Sequence, residues 1–332
     1  MKKHLVATLG ILFILFLGFA SAPAAEITVA YFPGWPNPVC VGWEKGWFEK
    51  EMGVKMNFRG FETGGEICTA MASGHVVIGT SVGTNPFISA VSRGVPLSLI
   101  AVADDIGLTE NIVARKGSGI VTPRDLIGKK VGVPFATSSH HRLLKILEVF
   151  GIKEDQLKIL DMSPPDVLAA FLRGDLDAGC AWDPARLKML EAGGYKIVSE
   201  EDQRRWGIVT WGNHIVYNDF AKKNPQMVVK FLKVMDDSYK YYEKNPEETY
   251  KIAAKKFGLS EADSKTIMSN IIYPRIDRQV EKPFLGSKGS PGDYVNNLKN
   301  VADFLVRQKS LEKALPSYAP VVDSSFLEAS FK

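Results

Sequence analysis

The stretch VGVPFATSSHHRLL, residues 131–144, decides how the rest of the chain is interpreted. Valines and a phenylalanine alternate as in a β-strand, three hydroxyl side chains follow at Thr137, Ser138 and Ser139, and leucines then recur at helical spacing. This pattern predicts a strand, a hydroxyl-rich turn and a helix. Such a turn offers main-chain N–H groups and the positive end of a helix dipole, so it can bind an oxyanion without a cation.

A second segment of the same kind lies upstream. Residues 76–91, VVIGTSVGTNPFISAV, predict a strand, a turn containing Ser81, Thr84 and Asn85, and a helix with Pro86 at its first position. In both turns the polar residues either cap their helix or contact a ligand, because Ser, Thr and Asn are the usual capping residues. One cap uses only one hydroxyl, so each turn has donors to spare. Two such turns predict two lobes that close on one ligand.

Length and composition are those of a globular protein. The 332 residues suffice for one large or two medium domains, and 45% hydrophobic with 23% charged residues is ordinary for a soluble chain. The net charge of +4, half of it from Lys2 and Lys3, is too small and too mixed to indicate a nucleic-acid partner. No spacing of His, Cys, Asp or Glu indicates a metal site.

The first 25 residues have the pattern of a secretory signal peptide. A basic start precedes an uncharged apolar run over residues 5–19, and small residues follow up to Ala24 and Ala25, where we expect cleavage. The apolar run is shorter than the roughly 20 residues that a membrane span needs. We therefore expect an exported protein without stable membrane insertion.

Three cysteines remain in the chain after this segment. Cys40 and Cys68 fall in the same predicted lobe and could form one disulfide in an oxidising compartment, while Cys180 falls in the other. The alternative is that all three are buried as small apolar residues.

The chain alternates strands and helices in two series, which predicts two lobes that each contain a mostly parallel sheet with ligand groups at the carboxyl ends of the strands. The C-terminal third is helical and is expected to pack on the first lobe. The predicted division is residues 1–25 as signal peptide, 26–114 as the first part of lobe 1, 115–217 as lobe 2, and 218–332 as the rest of lobe 1.

Three runs of sequence resemble a known family. They are DLIGKKVGVPFATSSHHRLL, LRGDLDAGCAWDPA and MASGHVVIGTSVGTNPF. With them the chain resembles the periplasmic substrate-binding proteins of ABC importers in the branch for taurine, alkanesulfonates and nitrate, and the taurine-binding proteins above all. The resemblance implies a type II two-lobed α/β fold with two crossing segments and a ligand between the lobes. It also implies a monomer in the periplasm, no cofactor, and a membrane permease with its ATPase as partner.

Taurine carries an ammonium group as well as a sulfonate, so the resemblance implies a carboxylate or aromatic face about 5 Å from the anion. Glu62, directly after a strand, is the main candidate, unless it only complements the dipole of the next helix. Asp183 follows another strand, where a capping role is the alternative. The family also places an aromatic residue or a histidine near the ligand at the turn of residues 136–140, which makes His140 a candidate.

Three tryptophans lie in loops or at strand ends, where they could cover the ligand or belong to the core: Trp35, Trp182 and Trp211. One position departs from the family pattern. The taurine-binding branch leads us to expect an acidic residue shortly after Trp206, and Gly212 stands where it would fall. Other ligands therefore stay open, namely an alkane- or arylsulfonate, nitrate, or a quaternary amine held by tryptophans.

An enzyme on the same scaffold is the alternative of a different class. Pyrimidine-forming proteins of thiamine biosynthesis share this fold but need a reactive cysteine or a consumed histidine with metal or cofactor support. An exported chain without metal-ligand spacing does not fit that chemistry, so we expect a binding protein and not an enzyme.

Overall fold

A computed structural model describes residues 26–331, so the predicted signal peptide lies outside the described residues. The strands are β1 (Glu26–Tyr31), β2 (Lys55–Gly60), β3 (Ile78–Gly83), β4 (Leu97–Asp105), β5 (Glu110–Ala114), β6 (Lys130–Val133), β7 (Lys158–Asp161), β8 (Ala178–Trp182), β9 (Tyr195–Lys196), β10 (Trp211–Tyr217), β11 (Gly286–Ser287) and β12 (Ser290–Pro291). The helices are α1 (Val39–Glu44), α2 (Trp47–Met52), α3 (Gly64–Ala72), α4 (Thr84–Ser92), α5 (Ser138–Val149), α6 (Pro164–Arg173), α7 (Ala185–Glu191), α8 (Glu200–Arg205), α9 (Asn218–Lys223), α10 (Pro225–Lys244), α11 (Pro246–Phe257), α12 (Glu261–Ser269), α13 (Asp293–Arg307) and α14 (Ser325–Ser330).

Two five-stranded sheets of the same topology form the two lobes. Their strand orders are β2-β1-β3-β10-β4 and β7-β6-β8-β5-β9. In each sheet one strand, β10 or β5, is antiparallel to both of its neighbours, and the other four run in one direction. The predicted fold, with two lobes and a mostly parallel sheet in each, is confirmed.

The chain crosses between the lobes at residues 106–109 and again at residues 206–210. The sequence prediction put these boundaries near residues 114 and 217, after β5 and β10. The structure instead pairs β5 within the second sheet and β10 within the first. Each crossing segment thus ends in a strand that inserts antiparallel into the lobe that the chain has just entered.

The C-terminal helices pack on the sheet of lobe 1. Side chains of α10, α13 and α14 belong to one large apolar cluster with β1, β3 and β4, while α5 packs in the separate core of lobe 2. All three cysteines are buried and free. In residues 26–331 no helix is long and apolar enough to span a membrane.

The upstream turn differs in detail from the sequence prediction. Strand β3 continues through the predicted turn to Gly83, and α4 starts at Thr84, which makes Pro86 its third residue instead of its first. Within the strand, Ser81 has a φ of 55°, in the left-handed region that side chains other than glycine seldom adopt. The chain therefore bends at Ser81 where it reaches the inter-lobe cleft.

Candidate ligand-binding site

A cavity with about 410 Å³ of space, part of which is open to solvent, lies where the two lobes meet. It is lined by Phe32, Trp35, Gly64, Ser81, Gly83, Pro86, Ile106, Thr137, Ser138 and Trp182. Five of the predicted site residues are in this set: Trp35, Ser81, Thr137, Ser138 and Trp182. The set contains no charged side chain, so the described residues provide hydrogen-bond donors and aromatic faces at the cavity but no cation.

The N-terminus of α5 forms the lobe 2 side of the cavity. Thr137 caps this helix, because its Oγ1 accepts a hydrogen bond from the His140 N–H at 3.4 Å and donates to the Pro134 carbonyl at 2.6 Å. The hydroxyl of Thr137 is thus used within the protein. The N–H groups of Ser138 and Ser139, the first two helical residues, lie ahead of the first intrahelical hydrogen bond and can donate to a ligand.

The hydroxyls of Ser138 and Ser139 are held by a buried ion pair that the sequence analysis missed. Both donate to Oε1 of Glu110, at 2.7 and 2.6 Å. Arg142 Nε donates to the other oxygen of Glu110 at 3.1 Å, and both charged side chains are fully buried. The sequence did contain two signals of this ion pair, namely a glutamate inside an apolar strand and an arginine among leucines. The network fixes the orientation of the first turn of α5.

Arg142 also connects α5 to the second crossing segment. Its Nη2 donates to Thr210 Oγ1 at 2.6 Å, and its Nη1 donates to Gln203 at the end of lobe 2. The helix that borders the cavity is therefore tied to the segment through which the chain returns to lobe 1.

On the lobe 1 side, the polar residues of the β3–α4 segment have three different environments. The Ser81 hydroxyl is buried at the cavity without a hydrogen-bond partner. Asn85 Nδ2 donates to the Thr137 carbonyl at 3.2 Å, which joins the two lobes beside the cavity. Thr84 instead bonds to the Tyr294 hydroxyl at 2.9 Å and lies outside the main cavity lining.

A buried aspartate lies directly behind the wall formed by Trp35 and Ser81. Trp35 Nε1 donates to Asp104 Oδ2 at 3.2 Å, while Asp104 Oδ1 has no hydrogen-bond partner in the described residues. Burial is the main cause that raises the pKa of Asp104 to about 6, and the neighbouring Ser81 and Trp35 act in the opposite direction. The sequence analysis did not identify Asp104. The available signal was an aspartate pair that ends a long apolar strand.

The remaining predicted residues lie away from the cavity. Glu62 is exposed at the start of the α3 segment, where Thr63 provides the N-cap. Asp183 is fully buried and forms an ion pair with Arg186 at 2.8 Å, besides accepting a hydrogen bond from the Leu187 N–H. The structure therefore gives Asp183 the capping environment that was the alternative to ligand contact.

His140 and Trp211 also face other parts of the protein. The ring of His140 stacks on Phe135 with the centroids 4.4 Å apart, and burial lowers the pKa of His140 to about 4. Trp211 packs edge-on against Tyr294 at 5.9 Å and borders a separate small cavity. Neither side chain is part of the main cavity lining.

Comparison with known proteins identifies the family. The model of the NMT1/THI5-like family matches residues 37–249. The chain belongs to the NMT1/THI5-like family. The taurine-binding periplasmic protein of Escherichia coli is 32% identical over 94% of this chain and 96% of its own length, and a putative aliphatic sulfonates-binding protein of Bacillus subtilis is 25% identical over 89% and 85%.

Several solved structures share the fold of this chain. The alkanesulfonate-binding protein SsuA of Xanthomonas axonopodis, bound to MOPS, superposes with a TM-score of 0.75 at 20% identity, covering 91% of this chain and 99% of its own. The desulfurization enzyme DszB has a TM-score of 0.68 at 16% identity over 92% and 98%. The curated relatives that align along most of the chain are binding proteins, so the expectation of a binding protein and not an enzyme is confirmed.

Glu110→Gln is expected to lower the free energy of unfolding by about 3–5 kcal/mol, because it leaves Arg142 buried without a counter-charge. Urea denaturation of the mature protein measures this value. Glu148→Gln on the same lobe is the matched control, since Glu148 is half-exposed and pairs only with Lys145. The control should change stability by less than about 1 kcal/mol. Equal effects of the two substitutions would contradict the role given to the ion pair.

Proposed function

We propose that this chain is the substrate-binding receptor of an ABC importer for small sulfonates, with taurine as the first candidate ligand. The observation that carries the proposal is the cavity between the lobes, which the N-terminus of α5 and the bent β3–α4 segment border without a cation. The names of the relatives support the sulfonate class. The predicted signal peptide supports export to the periplasm, where the closed receptor would deliver its ligand to a membrane permease.

The chemistry of the cavity suits a sulfonate. This group stays ionised at any accessible pH, so it needs hydrogen-bond donors more than a counter-charge. A helix N-terminus contributes about 0.3–1 kcal/mol to an anion, and about 2 when the site is partly buried. Hydrogen bonds to a charged group add about 1.5–3 kcal/mol each. The N–H groups of Ser138 and Ser139 supply two such hydrogen bonds at the α5 end of the cavity.

The contacts between the lobes support a closed, ligand-retaining state. Asn85 of lobe 1 bonds to Thr137 of lobe 2 beside the cavity, and Lys188 of α7 forms an ion pair with Asp263 of α12 at 2.9 Å. A ligand held from both sides would add to these contacts and shift the population towards the closed form. Such a shift would let a permease distinguish loaded from empty receptor.

A thermal-shift screen of the mature protein tests the proposal. Taurine or a close sulfonate is expected to raise the melting temperature by several degrees, because a ligand that binds only the folded state stabilises it. Nitrate, amino acids and choline-type amines are the comparison compounds. A clear shift with nitrate, or with an uncharged or purely cationic compound, and none with any sulfonate would overturn the assignment.

Two substitutions at one position test whether the main chain binds the anion. Ser138→Pro removes the N–H at the first helical position, where proline fits because Thr137 before it is extended, with φ −109° and ψ 175°. Ser138→Ala removes only the hydroxyl, which bonds to Glu110. Calorimetry should show sulfonate affinity lowered about tenfold or more by proline and less than about threefold by alanine. The reverse order would assign the contact to the hydroxyl.

A further inference from the structure

Asp104 is a fully buried carboxylate beside the cavity that no cation of residues 26–331 pairs with. The neighbouring carboxylate, Asp105, has its own partner in Arg204 at 2.9 Å. Asp104 Oδ2 accepts a hydrogen bond from the Trp35 indole at 3.2 Å, and the other neighbours that lower the pKa of Asp104, the Ser81 hydroxyl and the Gly212 N–H, are also neutral donors. A buried ionised carboxylate without a counter-charge is strongly unfavourable, so either a proton or a cationic ligand must neutralise it.

A second unpartnered polar group adjoins the first. The hydroxyl of Ser81 is buried at the cavity and adjoins Asp104, which lies behind the cavity lining. Ser81 is also the residue whose backbone adopts φ 55°, which is the conformation that carries its side chain at the cleft. The Ser81 hydroxyl can donate to the Asp104 carboxylate, and the lone pairs that the two side chains still have are acceptor sites. They fit a donor group that comes from outside the protein.

The strand next to Asp104 explains why Gly212 departs from the family pattern. The β4–β10 register pairs Gly212 with Asp104. A Cβ atom at position 212 would overlap Asp104 Oδ1, so any other residue there would require the Asp104 side chain to move. The carboxylate that the resemblance led us to expect on β10 is replaced by one that β4 projects into the same space.

We propose that Asp104, together with Ser81, binds the ammonium group of the ligand, so that the cavity selects short aminoalkanesulfonates over sulfonates without an amine. This inference rests on the proposed sulfonate-receptor function. The anion binds at the α5 N-terminus and the cation at the opposite wall. The aromatic side chains of Phe32, Trp35 and Trp182 line the same cavity and cover the methylene groups between the two ends.

Several charged and titratable groups surround Asp104. They are Asp105 with its partner Arg204, the buried Tyr239, Tyr273 and Tyr294, and His214 next to Tyr239. Burial raises the pKa of each of these tyrosines and lowers the pKa of His214 to about 3, so these side chains stay neutral between pH 5 and 8. Asp105 keeps its guanidinium partner.

The experiment compares taurine with ethanesulfonate, which differs from taurine only in lacking the amine. Calorimetry on the mature protein should show that Asp104→Asn weakens taurine about 10- to 100-fold and changes ethanesulfonate less than about threefold. Glu62→Gln is the matched control, because it removes an equal charge from an exposed carboxylate outside the cavity lining and should leave both affinities unchanged.

The two proposals fail in different ways. If the unsubstituted protein binds neither compound, the sulfonate-receptor function is overturned and the assignment of Asp104 falls with it. If it binds them and Asp104→Asn leaves the ratio of the two affinities unchanged, only the assignment of Asp104 is overturned. A loss of taurine discrimination in Glu62→Gln but not in Asp104→Asn would move the ammonium contact to Glu62.

A measurement without any substitution covers the case in which Asp104→Asn does not fold. Since burial raises the pKa of Asp104 to about 6, this carboxyl is mostly protonated at pH 5 in the free protein, and the ammonium must displace that proton. Taurine affinity should therefore rise about tenfold from pH 5 to pH 7.5, while ethanesulfonate affinity stays constant. Parallel pH profiles for the two compounds would overturn the proposal.

Discussion

The ion pair between Glu110 and Arg142 is the interaction on which the arrangement of the cavity depends. It lies at the point where the chain enters lobe 2, and it reaches the segment of the return crossing through Thr210. By accepting the Ser138 and Ser139 hydroxyls, Glu110 fixes the first turn of α5 against the lobe 2 sheet. The main-chain donors at that turn are therefore held in place before any ligand arrives, which reduces the ordering cost of binding.

The two ends of the cavity differ in the sign and the source of their charge. At the α5 end the partial positive charge belongs to the main chain and needs no titratable group. At the β4 end a carboxylate is buried without a counter-charge, and hydrogen bonds from neutral neighbours offset the cost of burial only in part, because the pKa of Asp104 is raised to about 6. The folded chain thus retains an unfavourable group at the site, and a fitting cationic ligand relieves it. At Asp104 the ligand-free protein is less stable than it would be with a neutral residue, and the site gains selectivity for a cationic ligand.

The repeated strand–helix pattern was readable from the sequence because strand and helix periodicities are local, and the two lobes followed from it. The predicted crossing points differ from those in the structure because β5 and β10 pair with strands that are distant along the chain. No local sequence pattern indicates such pairing. The same limit explains the site. The hydroxyl groups of residues 137–139 could be identified from the sequence, but their hydrogen bonds to Glu110 and Pro134 could not. Asp104 was missed because its proposed role depends on Gly212, which pairs with it on the neighbouring strand β10.

The positions of these groups relative to the crossing segments have a mechanical consequence. Asp104 lies two residues before the crossing segment 106–109, and Gly212 lies two residues after the segment 206–210. Helix α5 is hydrogen-bonded to Glu110 and Thr210, which adjoin or belong to the same two segments. When the lobes swing apart about these two connections, points near the axis travel least. Both ends of the cavity therefore lie close to the axis, and the parts of the lobes that are farther from the two crossing segments open widest. A zwitterionic guest would then keep its contacts with both ends during the early part of opening.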